Sequence, residues 1–367
     1  MYVDKIVLEG FRNYENATVN FDKGVNVIIG DNGQGKTNLL ESIYYLTSAK
    51  SFRTRFDKEL IGLDKISARI TAAFFSQGRD QKIDVFIPRG KKKDIHMNGA
   101  RLKKFSELYG RVTAVLFCPE DLALVKGGAS VRRRLMDSAI SQLRPKYVVY
   151  LSEFNKLYEN KTRILKDFRE KPSLLDTLDE FSTAMAHRSA QIIYYRSHFI
   201  KKLNEKAAVI HGDFSGGREE LCLSYKTVKT VEEPTGLPSI IFENLMEHQA
   251  LRRRAEIESG MCLSGAHKDD IEININGISA RSFASQGQTR TAALSLKLAE
   301  REIFCEETGE PPILLLDDVL SELDSTRQDF VLNRIMSGQV LITCCEDDRI
   351  AERTGGKILK IIKGEVY

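Results

Sequence analysis

The sequence predicts an α/β protein in which one lobe is split along the chain by a mainly helical insertion. Three features predict it: a glycine-rich loop joining a strand-like to a helix-like run near the N-terminus, an apolar strand ending in two carboxylates near the C-terminus, and a long tract of helical spacing between them. At 367 residues the chain exceeds the size at which a single core keeps growing, so two lobes are expected. Hydrophobic residues (42%) and charged residues (29%) are balanced as in a folded globular chain, which excludes a disordered or collagen-like class.

Ile6 to Leu8 and Val25 to Ile29 read as short strands leading into the loop. Asn38 to Leu46 then places Leu39, Leu40, Ile43 and Leu46 on one helical stripe. Strands are expected over Ala68 to Phe75 and Lys82 to Ile87, with Asn98-Gly99 as a hairpin turn because both residues tolerate positive φ. From Leu122 to about Lys206 the tract reads as helices broken near Arg144-Pro145 and Glu170 to Ser173, since proline disfavours helix in the residue before it. His211 to Gly217 reads as a loop, Leu221 to Tyr225 as a returning strand and Glu233 to Pro238 as a second loop. From Gly260 strand and helix alternate again: Ile271 to Ile275, a helix over Thr289 to Glu307, then buried strands at Ile313 to Leu316 and Val340 to Thr343. The expected divisions are 1–119 and 260–367 for the two halves of the split lobe, 120–220 for the helical lobe and 221–259 for a return segment.

The longest apolar runs are strand-length, far from the roughly twenty residues a membrane helix needs. The opening Met1-Tyr2-Val3-Asp4-Lys5 has no export-signal pattern, so a cytoplasmic protein is expected. The six cysteines lack C-x-x-C spacing and read as plain thiols, not as a zinc or redox site. The net charge of +4 does not by itself argue for nucleic acid. Lys91-Lys92-Lys93, Arg132-Arg133-Arg134 and Arg252-Arg253-Arg254 are the local runs able to neutralise phosphates, although such runs are more often solvated faces.

Gly30-Asp31-Asn32-Gly33-Gln34-Gly35-Lys36-Thr37 fits G-x-x-x-x-G-K-[ST] and stands after a strand and before a helix, as a phosphate-binding loop must. Glycines let backbone N–H groups turn toward the phosphates of a nucleotide, and the helix N-terminus adds partial positive charge. Lys36 is expected to reach the β- and γ-phosphates and Thr37 to hold Mg²⁺ through its hydroxyl. Asp317 and Asp318 close the strand Ile313 to Leu316: the first is expected to hold Mg²⁺, the second to polarise an attacking water. Ser285-Gln286-Gly287-Gln288, at the start of a helix, offers a hydroxyl, an approachable backbone and a helix dipole to a second phosphate contact. The plain alternative is an N-cap serine followed by a glycine turn.

These motifs together resemble the RecF family, related to SMC and ABC ATPases. The resemblance runs over nearly the whole chain and is carried by Phe11 to Tyr14, Gly30 to Asn38, Ser51-Phe52-Arg53, Ser264 to Asp270, Phe283 to Gln288 and Leu314 to Asp324. It implies an ABC-type ATPase head with a P-loop, split in sequence, plus the helical lobe. It also implies an ATP-dependent homodimer in which the signature residues Ser285, Gly287 and Gln288 serve the nucleotide of the other subunit, with Ser321 and Asp324 of the D-loop-like turn at the interface. Implied activities are slow, DNA-stimulated ATP hydrolysis, binding of duplex DNA or single-strand/duplex junctions, and help in loading RecA, with RecR and indirectly RecO as partners. Candidate DNA contacts are Lys91, Lys92, Lys93, Arg132, Arg133 and Arg134; Arg12 and Arg53 are left open between DNA and nucleotide.

Departures from the ABC pattern bear on the competing readings. Asp318 stands where transporters carry glutamate, Thr343-Cys344 where a switch histidine is expected, and no glutamine-loop residue is evident near Cys118 to Leu122. An ATP-powered transporter head predicts the histidine and glutamine. An ATPase of another DNA-maintenance or defence complex predicts an appended catalytic domain, for which the run ending at Tyr367 is expected to leave no room.

Overall fold

Alternating apolar residues and long apolar runs divide the strands of the first unit into two sheets. In this computed structural model, which describes residues 1–320, 323–335, 337–345 and 348–367, that unit comprises Met1–Asp121 and Leu294–Tyr367, and a second unit comprises Leu122–Ala293. The chain opens with β1 (Tyr2–Phe11), β2 (Tyr14–Asn20), β3 (Val25–Ile29), α1 (Lys36–Tyr45), β4 (Ser67–Ser76), β5 (Arg79–Pro88), β6 (Asp94–Met97), β7 (Ala100–Arg101) and β8 (Ala114–Phe117). The second unit holds α2 (Ala123–Lys126), α3 (Ala129–Leu143), α4 (Pro145–Asp167), α5 (Leu178–Ser215), β9 (Leu221–Lys226), α6 (Pro238–Ser259), β10 (Asp270–Ile275), β11 (Ile278–Ser279) and α7 (Ala280–Phe283). Helix α8 (Gln286–Thr308) leads back into the first unit, followed by β12 (Ile313–Asp317), α9 (Ser325–Arg334), β13 (Val340–Cys344), α10 (Asp348–Thr354), β14 (Lys357–Ile362) and β15 (Glu365–Val366).

One sheet of the first unit is antiparallel, ordered β2-β1-β4-β5-β6-β7, and its strands alternate buried and exposed residues because only one face meets the core. The other is ordered β15-β14-β3-β13-β12-β8; from β14 to β8 every pairing is parallel. Strands β8, β12 and β13 are buried at every position, which accounts for their unbroken apolar runs. Ile6, Leu8, Ile70 and Val85 of the antiparallel sheet share one core with Leu39, Leu40 and Ile43 of α1 and Leu315 and Leu341 of the parallel sheet.

Within the second unit, helix α5 exceeds its expected extent, passing through His211-Gly212 and ending at Ser215, with Gly216 as its left-handed cap. A glycine in a helix interior costs roughly 1 kcal/mol, and burial of Ala207, Ile210, His211 and Ser215 offsets it. Helix α6 was not foreseen. Its buried residues, Ile241, Leu245, His248, Gln249 and Glu256, include three polar ones, so no apolar stripe announces it. The expected boundary at residue 260 also moves: Gly260 to Ala293, with the Ser285 loop, belongs to the second unit. Pro145 and Pro172 do mark breaks, each beginning the next helical segment. Among the described helices none is long and apolar enough to cross a membrane.

The Ser264 to Asp270 motif supplies the polar centre of this unit. Asp269, fully buried, accepts hydrogen bonds from Arg196 (2.7 Å), Tyr225 Oη (2.5 Å) and Thr227 Oγ1 (2.7 Å). Arg196 also bridges to Asp137 at 2.8 Å and donates to the Ala266 carbonyl at 2.6 Å. Replacing Arg196 with methionine keeps the side-chain bulk but leaves Asp269 uncompensated, and is expected to cost about 3–5 kcal/mol. Urea unfolding of the variant measures this; a loss below about 1 kcal/mol would refute the assignment of Arg196 as the electrostatic centre of the unit.

Candidate functional site

Parallel strands deliver the chemistry to one edge. The Ile29–Cys344 pairing and the Asp317–Thr343 pairing place the ends of β3, β13 and β12 side by side, so the loop after β3 meets the acids after β12. A cavity of ≈ 210 Å³ forms there, lined by Asp31, Asn32, Gly33, Gly35, Lys36, Thr37, Asn38, Arg53, Asp317, Asp318 and Thr343. Most of the loop residues expected to bind phosphate thus lie together with Asp317 and Asp318, joined by Arg53 and Thr343.

Helix α1 begins at Lys36, and its N-cap Gly35 has no side chain to cap the first-turn amides, which stay available to an anion. Lys36 Nζ donates to the Gly30 carbonyl at 2.5 Å and to the Asp31 carbonyl at 3.1 Å, with Cys345 Sγ at 3.8 Å. Thr37 Oγ1 donates to Asp317 Oδ1 at 2.9 Å, so its proton is committed to the acid. Burial raises the Asp317 carboxyl above its usual range, against the lowering effect of the hydroxyls of Thr343 and Thr37. Thr343 Oγ1 donates to the same Asp317 oxygen at 2.9 Å and accepts from the Asp318 amide at 2.8 Å. Asp318 has φ 54°, a left-handed conformation uncommon outside glycine.

The loop is held from both sides. Asn13 Nδ2 donates to the Gln34 carbonyl at 2.7 Å, Tyr14 Oη to the Gly35 carbonyl at 2.9 Å, and Asn38 Nδ2 to Asn13 Oδ1 at 2.8 Å. From the C-terminal turn, the Gly364 amide donates to the Gln34 carbonyl at 3.1 Å and the Lys363 amide to Gln34 Oε1 at 2.6 Å. A Cβ on Gly30 would stand 2.4 Å from the Ile361 carbonyl, and one on Gly364 2.4 Å from the Asn13 carbonyl, so both contacts require glycine. Arg12 is bound through Nε and Nη2 to the buried Glu41 carboxylate, each bond 2.8 Å, and Ser51 Oγ donates to the same acid. Arg53 donates to Asn38 Oδ1 at 2.7 Å, with its Nη1 3.8 Å from Glu41. Arg12 is therefore occupied by Glu41, while Arg53 lines the cavity.

This geometry sits in a chain whose relatives are readily found. The family described as RecF/RecN/SMC N terminal domain matches residues 2–364. The chain is 39% identical over 361 residues to the DNA replication and repair protein RecF of Acetivibrio thermocellus, covering 98% of each protein. The chain belongs to the RecF family. It is also 41% identical over 356 residues to RecF of Bacillus subtilis, covering 96% of each. A solved structure of the recombination mediator protein RecF-ATP in the RecFOR pathway is 34% identical, with a TM-score of 0.92 over 100% of this chain and 97% of that one. The Smc head domain from Pyrococcus furiosus, 18% identical with a TM-score of 0.55 over 100% of this chain and 95% of that one, shares the fold. The split α/β lobe is an ABC-type ATPase head, as in RecF and SMC proteins.

The remaining expected site residues of this RecF-family chain fare differently. Ser285 and Gln288 bond reciprocally, Ser285 N to Gln288 Oε1 at 2.9 Å and Gln288 N to Ser285 Oγ at 3.2 Å, which is the capping arrangement at the start of α8. Ser285 is exposed and Gly287 half-buried in the second unit. Asp324 caps α9 by accepting from Arg327 N at 3.0 Å; Ser321 lies outside the described residues.

Two candidate DNA contacts are overturned. Arg132 is buried, paired through Nε and Nη2 with Asp270 at 2.6 and 2.9 Å, and donates to the Leu124 and Gly127 carbonyls. Lys93 donates to Tyr45 Oη at 2.9 Å and pairs with Asp57 at 2.9 Å, and burial lowers its pKa. Helical and turn geometry point alternate members of a charge run in different directions, which the runs by themselves do not reveal. Arg133 donates to the Asp269 carbonyl at 2.8 Å, while Arg134, Lys91, Lys92 and Arg53 are exposed. Arg132→Ala is expected to cost about 3 kcal/mol or more because Asp270 loses its partner, whereas Arg134→Ala stays within about 0.5 kcal/mol. Equal effects on thermal or urea unfolding would contradict this division.

Proposed function

We propose that this RecF-family chain is an ATP-switched clamp of recombinational DNA repair. It binds ATP with Mg²⁺ in the Gly30 to Thr37 cavity, dimerises on ATP, holds duplex DNA or single-strand/duplex junctions, and assists RecA loading with RecR and, indirectly, RecO. The observation that carries the reading is the cavity itself, where a phosphate-binding loop, a lysine and two strand-end acids converge. The similarity to a RecF-ATP structure of the RecFOR pathway supports the ligand and the partners.

The donors present suit Mg²⁺. Thr37 and Asp317 offer oxygens, and among the described residues no cluster of three or more His, Cys, Asp or Glu could form a cation cage of its own. Such a site matches a cation held by one or two protein oxygens plus nucleotide phosphates. Held by Thr37 and Asp317, Mg²⁺ would supply charge neutralisation to the nucleotide phosphates. Lys36 leaves the loop carbonyls for the γ-phosphate, first-turn amides of α1 receive the β-phosphate, and Asp318 polarises the water that attacks the γ-phosphorus. Ser285 of the partner subunit approaches the same phosphate through the exposed start of α8. ATP thereby adds contacts only in the closed dimer, and hydrolysis removes them. The aspartate side chain of Asp318 is shorter than the glutamate of ABC transporters and positions water less closely, in keeping with slow turnover.

Light scattering of wild type and Asp318→Asn, each without nucleotide, with ADP and with ATP, tests the clamp. Dimers are expected only with ATP, lasting longer in the variant; a monomer under all conditions would end this model. Ser285→Arg should keep ATP affinity within about threefold yet abolish the dimer. For DNA, affinity should fall steeply with salt, and Arg134→Ala should reduce the slope of log K against log[salt] by about one. An unchanged slope would remove Arg134 from the DNA-binding surface.

A further inference from the structure

We infer that Thr343 is the positioning residue that sets the direction of both acids at the end of β12, an inference resting on the ATP reading above. Thr343 is 1% exposed at its place in the cavity wall. A threonine hydroxyl has one hydrogen, and here its two roles are fixed from outside. The Asp318 amide donates to it at 2.8 Å, so its own hydrogen goes to Asp317 Oδ1 at 2.9 Å. That oxygen also receives Thr37 at 2.9 Å, which fills both its lone-pair directions. Asp317 Oδ2 is left as the oxygen able to face a cation.

The same hydroxyl governs Asp318. The residue turns through φ 54° immediately after the strand, and such a conformation persists only where neighbouring contacts impose it. Its amide bond to Thr343 is one such contact. Removing the hydroxyl without changing the side-chain outline therefore leaves Asp317 Oδ1 with Thr37 as its hydroxyl donor and takes the Thr343 acceptor from the Asp318 amide, loosening both acids. Thr343 is bonded to both acids and acts through them. Sequence places Thr343-Cys344 where the ABC pattern carries a switch histidine, and the threonine hydroxyl bonds to the acid pair.

The test compares full-length wild type, Thr343→Val and Thr343→Ser for binding of a fluorescent ADP with Mg²⁺ and with EDTA, together with kcat and KM for ATP. Mg²⁺ should tighten binding in wild type. Thr343→Val should lose that tightening by about tenfold or more, with affinity in EDTA unchanged within about threefold. Its kcat should fall by at least as much, with KM in the absence of added effectors changing less, and Thr343→Ser should restore both. A Thr343→Val protein that keeps its full Mg²⁺ dependence overturns the inference. So does one that loses affinity equally in EDTA, since that outcome marks lost packing. Wild type that binds no nucleotide under either condition brings down the ATP reading itself, a distinct result.

Discussion

Parallel pairing of β3, β13 and β12 is the constraint on which the rest of the site depends. Parallel neighbours end at the same edge of a sheet, so the register Ile29–Cys344 and Thr343–Asp317 gathers the loop, the bridging threonine and the acids without any of them being close in sequence. Burial on both faces makes these strands rigid and apolar. A rigid edge matters because hydrogen bonds such as Thr37 to Asp317 tolerate only tenths of an ångström.

The loop on that edge is braced, not merely glycine-rich. Its Gln34 carbonyl is shared by Asn13 and Gly364, two turns that stand far apart in the chain, and Tyr14 fixes the next carbonyl. These bonds consume outward-facing carbonyls and leave the amide side of the loop for an anion. Preorganisation of this kind lowers the ordering cost of binding. Glu41 extends the same bracing to Arg12 and Ser51, and so carries the order of α1 outward to the segment that presents Arg53.

Charge in the second unit is used first for folding. Arg196, Arg132 and Asp269 are buried and mutually compensated with Asp137 and Asp270, an arrangement in which each partner makes the others tolerable. Ala266, Asp269 and Asp270 of the Ser264 to Asp270 motif belong to this network. Arg134, next to these buried pairs in sequence, is exposed.

Residue order alone determined the strand-loop-helix context of Gly30 to Thr37, the buried strand carrying Asp317 and Asp318, the proline breaks and the RecF-family resemblance, because each is a local pattern whose physics spans a few residues. It did not determine α6, whose buried face is half polar, or the reach of α5 through Gly212, because packing outweighs propensity there. Nor could it separate Arg132 from Arg134, or Lys93 from Lys91, since the direction of a side chain follows from the element that bears it and from what that element packs against. Glu41 and the Lys363-Gly364 turn entered the site only through tertiary structure, and Thr343, noted in sequence at the switch-histidine position, gained its bonds to the acids there. Their partners lie across the chain, and only the sheet register and the folding back of the C-terminal turn decide that they meet.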